Sequence, residues 1–229
     1  MLTFFRQINW SSISKRSLLL IIPIILNPFG IACYYACGLG SDPYSVFIDG
    51  IHTLFGLSHG QITLVSNIIF FGLMLIWGRK YINVGTVITT FTMGYLIDLF
   101  RTLIMTHVTY EGSPIWVHYA VLVVGCITFS FGTGIYIAIN LGIGGFEFLS
   151  LLIVKITKQK LKYVRIAMDA LFVLAGWLMG GIVGVGTVLG IIATGPALEF
   201  TLNLFKDRID RFAGPLKKET EQEATELSA

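Results

Sequence analysis

The sequence predicts an all-α polytopic membrane protein built from two homologous repeats, the second inverted relative to the first. Three observations carry this. Hydrophobic residues make up 55% of the 229 positions and charged residues 13%, against about 25% charged in a soluble domain. The mean hydropathy is +0.78. A pattern of residues also recurs at an offset of about 102. Phe29-Gly30, Tyr34, Ala36, Leu39-Gly40, Phe70, Gly85-Thr86-Val87 and Gly94 return as Phe131-Gly132, Tyr136, Ala138, Leu141-Gly142, Phe172, Gly186-Thr187-Val188 and Gly195.

Each repeat reads long, short, long, long. The long runs are 17–38, 61–78, 83–105, 114–140, 163–180 and 182–205, each close to the roughly 20 residues that cross a bilayer as a helix. The short runs, 43–57 and 145–157, fall below that length and are predicted as half-helices or interfacial helices. The expected organisation is a basic N-terminus at 1–16, repeat one at 17–105, a linker at 106–113, repeat two at 114–205 and a charged tail at 206–229. In the first run, Pro23 and Asn27-Pro28 are placed to kink the helix. Ser41-Asp42-Pro43 suits a capped start for the first short helix. Beyond Phe205 a short juxtamembrane helix and then disorder are expected.

Charge sets the topology. Basic residues near short loops favour the cytoplasm. At four equivalent flanks repeat one carries three, none, two and one Lys or Arg, and repeat two none, five, none and five. Parallel repeats would give similar counts; inverted ones give opposed counts, as here. Inversion needs an odd number of crossings per repeat, so six full crossings with both termini cytoplasmic are expected, the short runs not crossing fully. The alternative is eight crossings with parallel repeats.

Polar positions that recur in both copies mark the candidate site, because ionisable groups inside a membrane are costly. Thr86 and Asp98 lie on one helical stripe, answered by Thr187 and Glu199 in the second copy; Asp98 can pair with Arg101 at i+3. Asn67 answers Asp169, which has no evident partner in its span. The turns Gly38 to Pro43 and Asn140 to Gly145 break a helix and start a short one. A half-helix N-terminus offers free N–H groups to a solute. The substrate-binding candidates are therefore Gly40, Asp42, Asn67, Thr86, Asp98, Asn140, Gly142, Glu147, Asp169, Thr187 and Glu199.

Other chemistry is not expected. Cys33 and Cys37 share a helix face and read as small packed residues. Four scattered histidines form no metal motif, and no Walker loop or nucleophile–base arrangement is visible. Hence no enzyme activity, cofactor or metal is expected. The basic residues flank membrane runs, which argues against nucleic-acid binding. The expected partners are the lipid bilayer, a small-molecule solute and a second copy of the chain.

The segments Gly38-Leu39-Gly40-Ser41-Asp42-Pro43-Tyr44, Gly56-Leu57-Ser58-His59-Gly60-Gln61, Gly78-Arg79-Lys80 and Gly94-Tyr95-Leu96-Ile97-Asp98 resemble the YczE/YyaS/YitT family of bacterial membrane proteins. Gly176-Trp177-Leu178 and Gly184-Val185-Gly186-Thr187-Val188-Leu189 resemble its second half. The chain departs at Tyr44, where Trp is expected, and at Ile143-Gly144-Gly145, where relatives often carry proline. The resemblance implies a multi-pass protein of the bacterial inner membrane and leaves its activity undefined. A secondary transporter or permease with a site between the repeats is the leading expectation; a non-transporting subunit or regulator of a membrane or biosynthetic complex is the alternative.

Overall fold

Nine α-helices and one 3₁₀ turn account for nearly all of the residues that the computed structural model describes, 10–106 and 113–214. The side chains at 162, 193–195 and 198 are not among those described. The helices are α1 (Trp10–Leu19), α2 (Ile21–Cys37), α3 (Pro43–Phe55), α4 (His59–Trp77), α5 (Val84–Met105), α6 (Ile115–Ile139), α7 (Gly145–Thr157), α8 (Leu161–Leu178) and α9 (Val185–Ala213). No strand occurs among the described residues. The expectations for residues 1–9, for the linker at 107–112 and for tail residues 215–229 lie outside them.

The boundaries follow from local chemistry. α1 and α2 run on as one apolar stretch, Ser11–Cys37, interrupted at Leu20. Pro23 has no N–H to give Leu19 and its ring crowds that carbonyl, while Leu20 and Ile24 keep their bonds to Arg16 and Leu20 at 3.0 and 3.1 Å. The break thus lies one turn before the proline. α3 starts as expected: Asp42 caps it, accepting from the Ser45 amide at 3.3 Å, and Pro43 opens the first turn. α7 starts on Gly144 with no side-chain cap. A full capping box, Ser58 with Gln61, starts α4. α9 runs to Ala213, so the separate juxtamembrane helix expected after Phe205 is the last turns of this helix.

Among the described residues four stretches are long and apolar enough to cross a membrane: Ser11–Cys37, His59–Trp77, Val84–Met105 and Ile115–Ile139. α8 has the length but carries Lys162, Arg165 and Asp169. Outward faces are strongly apolar: Ile69, Ile76, Trp77, Tyr95, Leu171 and Trp177 are each more than half exposed. Water would penalise such a surface, and hydrocarbon would not.

α2 and α6 form the antiparallel centre. Gly30 lets them touch: a Cβ there would lie 2.7 Å from the Phe129 amide nitrogen and 2.9 Å from the Gly125 carbonyl. α5 packs on α2 and α4, and α9 on α6. The short helices cross over. α3 packs on α8, and α7 on α4. The first crossing is tight because Gly50 and Gly176 bring backbones together; a Cβ on Gly50 would lie 2.5 Å from the Gly176 carbonyl. At the second crossing the Phe148 ring covers Gly78 and the Phe70 side chain covers Gly145, with Met74 and Phe148 buried.

Arg16 ties one end of the bundle. Its guanidinium, 3% exposed, donates to Ile139 O at 2.8 Å, Asp210 Oδ1 at 2.6 Å and Gly214 O at 3.0 Å. The last turn of α1 and the ends of α6 and α9 are therefore neighbours, with the start of α5 beside Leu141 and Leu20. Asp98, thirteen residues beyond Gly85, stands about 20 Å further along α5. There it receives the Ser58 hydroxyl and the Gly60 amide, so α4 begins at the opposite end.

Candidate functional site

The two Leu-Gly turns organise the site. In the first, Gly38 and Gly40 take φ of 64° and 91°; in the second, Asn140 and Gly142 take 55° and 109°. Left-handed backbone of this kind favours glycine. Each turn is bonded by backbone to the other half of the chain: Gly186 N donates to Leu39 O at 2.8 Å, and Gly85 N to Leu141 O at 3.0 Å. The helix ends before the turns are also matched. His118 Nδ1 lies 3.0 Å from Cys37 O, and Arg16 donates to Ile139 O. Arg16 and His118, Cys37 and Ile139, and Leu39 and Leu141 each stand 102 positions apart, and Gly85 and Gly186 101.

From these turns α3 and α7 bring their first residues together. Tyr44 and Phe146, equivalent positions, stack with ring centroids 5.4 Å apart. Phe70 and Phe172, also equivalent, complete the group: Tyr44 is 6.1 Å from Phe70 and 5.9 Å from Phe172, and Phe146 is 5.2 Å from Phe172. The Arg165 guanidinium carbon lies over the Phe146 ring, 4.4 Å from its centroid. Arg165 Nε is 3.4 Å from Asp169 Oδ1. Nearby, Tyr44 Oη has Ser66 beside it, Asp169 Oδ1 has only the long Arg165 contact, and Asp42 Oδ2 is buried without a hydrogen bond among the described residues. Such atoms are costly to leave unsatisfied.

A second polar cluster stands at the opposite end from Arg16. Asp49 on α3 accepts from the Ile182 amide at 2.8 Å and lies 2.9 Å from His59 Nε2. His59, 2% exposed, stacks between Tyr35 and His52 with centroids 3.9 and 4.1 Å away. A cavity of about 10 Å³, room for one water, lies among Tyr34, Tyr35, Gly38, Gly40, Ser41 and Asp49.

The expected residues separate accordingly. Asp42, Asp169 and Glu147 border the aromatic group; Glu147 lies over Gly144 at the start of its own helix. Asp169 does have a partner, Arg165 one turn before it, where none was evident in sequence. Gly40, Gly142, Thr86 and Thr187 build the turns: Thr86 Oγ1 donates to Ile143 O at 3.2 Å, and Thr187 Oγ1 accepts from Gly184 N at 3.3 Å. Asp98 anchors the start of α4, and the expected pair with Arg101 does not form among the described residues, because both Asp98 oxygens accept from Ser58 and Gly60. Asn67 is half-buried in α4 and makes no side-chain hydrogen bond among the described residues; Asn140 and Glu199 are exposed. Cys33 and Cys37 are buried free thiols.

Arg165, Tyr44, Phe70, Phe146, Phe172, Asp49 and His59 were not among the expected site residues, although Phe70 and Phe172 belong to the recurring pattern. The first group was detectable in principle, because Tyr44/Phe146 and Phe70/Phe172 recur at the repeat offset. Asp49 and His59 carry no such signal: their partners in the other copy are Leu151 and Leu161.

The all-helical fold, the four apolar spans and the lipid-compatible exterior define an integral membrane protein. The chain belongs to a family of unknown function, DUF6198, whose model matches residues 14–203. It is 30% identical over 180 residues to the uncharacterized membrane protein YczE of Bacillus subtilis, covering 78% of this chain and 81% of that one. It is 25% identical over 197 residues to an uncharacterized protein of Haemophilus influenzae (85% and 87% covered). Over 178 residues it is 25% identical to the uncharacterized protein YyaS of B. subtilis (78% and 88% covered). No solved structure matches.

Proposed function

We propose that this protein is a small-solute secondary transporter of the bacterial inner membrane, with its site between two inverted halves. One observation carries the reading: the starts of the short helices α3 and α7 meet at a group of rings and unsatisfied polar atoms drawn from both halves. Paired half-helices that meet between inverted repeats are a recurring way to build a transport site. In this reading six segments cross fully, α3 and α7 do not, and both termini are cytoplasmic. The opposed charge counts at equivalent loops support it. So does the position of the α4 start, at the far end of the bundle from Arg16.

The closed packing between the rings corresponds to an occluded form. Opening requires one crossing, α3 on α8 or α7 on α4, to loosen. The α7–α4 crossing is the candidate to loosen, because its glycines Gly78 and Gly145 meet the side chains of Phe148 and Phe70, whereas Gly50 and Gly176 put backbone against backbone.

Untargeted comparison of solutes accumulated by deletion and overexpressing cells tests transport. A solute that follows expression level supports it. Unchanged accumulation of every solute rejects it in favour of a non-transporting membrane partner. A reporter inserted between Gly56 and Ser58 tests the topology: an external signal fits six crossings, an internal one eight.

A further inference from the structure

We propose that the ring group is a binding site for a small organic cation, a guanidinium or quaternary ammonium head, and that Arg165 occupies it as a tethered stand-in. The proposal rests on the transport reading only for the claim that the bound cation then crosses the membrane.

The rings present electron-rich faces, which attract a cation and disfavour an anion. They come from four helices, Tyr44 on α3, Phe70 on α4, Phe146 on α7 and Phe172 on α8, two from each half. A cation already sits there: the Arg165 guanidinium stacks 4.4 Å from the Phe146 centroid. Among the described residues its one other contact is the 3.4 Å approach to Asp169, and its side chain is 43% exposed. The grip is weak for a group able to make bidentate bonds of about 2.8 Å with a carboxylate.

The unsatisfied atoms say what is missing. Asp42 Oδ2 is a buried acceptor with no hydrogen bond among the described residues, and Asp169 Oδ1 has only the long 3.4 Å contact to Arg165. A guanidinium would supply N–H donors to them. An alkylated ammonium would supply charge and fill the rings. Three acidic side chains, Asp42, Glu147 and Asp169, border the rings beside the one guanidinium. Arg165 as an anion ligand is the opposite reading of the same residue, and would call for unsatisfied donors instead.

The test uses the full chain in detergent, titrated calorimetrically with methylguanidinium, tetramethylammonium and benzoate. Removing the tethered competitor in Arg165→Gln is expected to tighten methylguanidinium or tetramethylammonium binding about tenfold or more. Adding Tyr44→Leu or Asp169→Asn to that variant is expected to abolish the gain. Arg165→Ala serves as a second competitor-free variant should Arg165→Gln not be monodisperse. Equal or weaker cation binding in both variants overturns the proposal. So does benzoate that binds the native chain and not Arg165→Gln. Vesicle flux separates the two claims: cation binding without flux rejects the transport reading and leaves the site standing, and flux of another solute with no cation binding rejects the site alone.

Discussion

Replacing Arg16 by alanine removes a buried guanidinium that serves three acceptors from the far end of the chain. Ile139 O loses its side-chain donor in a buried setting, which costs about 1–1.5 kcal/mol at the low end of its range, whereas the half-buried Gly214 O keeps the Ser12 hydroxyl at 2.8 Å and loses less. The pair with Asp210 adds less, because Asp210 is 49% exposed and such pairs contribute about 0.5 kcal/mol. The sum is about 2 kcal/mol, or roughly 4–8 °C in melting temperature for a chain of this length. The assay is thermal unfolding in detergent, followed by loss of the monodisperse peak. Arg16→Lys keeps the charge but not the fork and is expected to fall between. Asp210→Asn separates the contributions: it is expected to cost under about 1 kcal/mol. An Arg16→Ala protein that melts within 2 °C of the native chain, or Asp210→Asn equalling it, refutes the idea that the α6 carbonyl end needs this donor.

Gly60→Leu drives a side chain into the Gly94 carbonyl and the Asp98 carboxylate, and is expected to cost at least about 2 kcal/mol, read as a lowered melting temperature. Gly72→Ala, with no atom near its Cβ, is the matched control and should be neutral or slightly stabilising. Asp98→Ala frees the Ser58 hydroxyl and the Gly60 amide and is expected to cost about 2 kcal/mol, with faster hydrogen exchange confined to the start of α4. Asp49→Ala unties Ile182 from α3; the expected result is raised exchange at residues 180–184 with little change in the Arg16 region.

Helix positions were legible because apolar length and turn residues act locally. The Asp42-Pro43 start, the unprotected α7 start and the left-handed Gly40 and Gly142 all follow from residues within one turn. Asp98 and Asp169 were recognised as unusual, but not their partners. Asp98 bonds to residues forty and thirty-eight positions away, and only the α4·α5 packing decides that over Arg101. The repeat signal found the turns and two of the four rings. It missed Asp49 and His59, because the second copy has leucine at both places and pairing gives no echo to follow. Arg165 was read as a topology charge; its position over Phe146 depends on α7 lying against α8.

The reciprocal bonds Gly186 to Leu39 and Gly85 to Leu141 also bear on how the protein is made. Leu39 leaves the ribosome well before Gly186, a gap on the order of ten seconds at ordinary synthesis rates. During that interval the first turn holds open carbonyls, and α3 lies without α8. The nascent first half must therefore wait at the insertion machinery, or in lipid with an unfinished hairpin, until its counterpart arrives. Truncation after residue 139 should leave a chain that inserts yet is cleared by quality-control proteases, since neither turn can close without its later donor or acceptor.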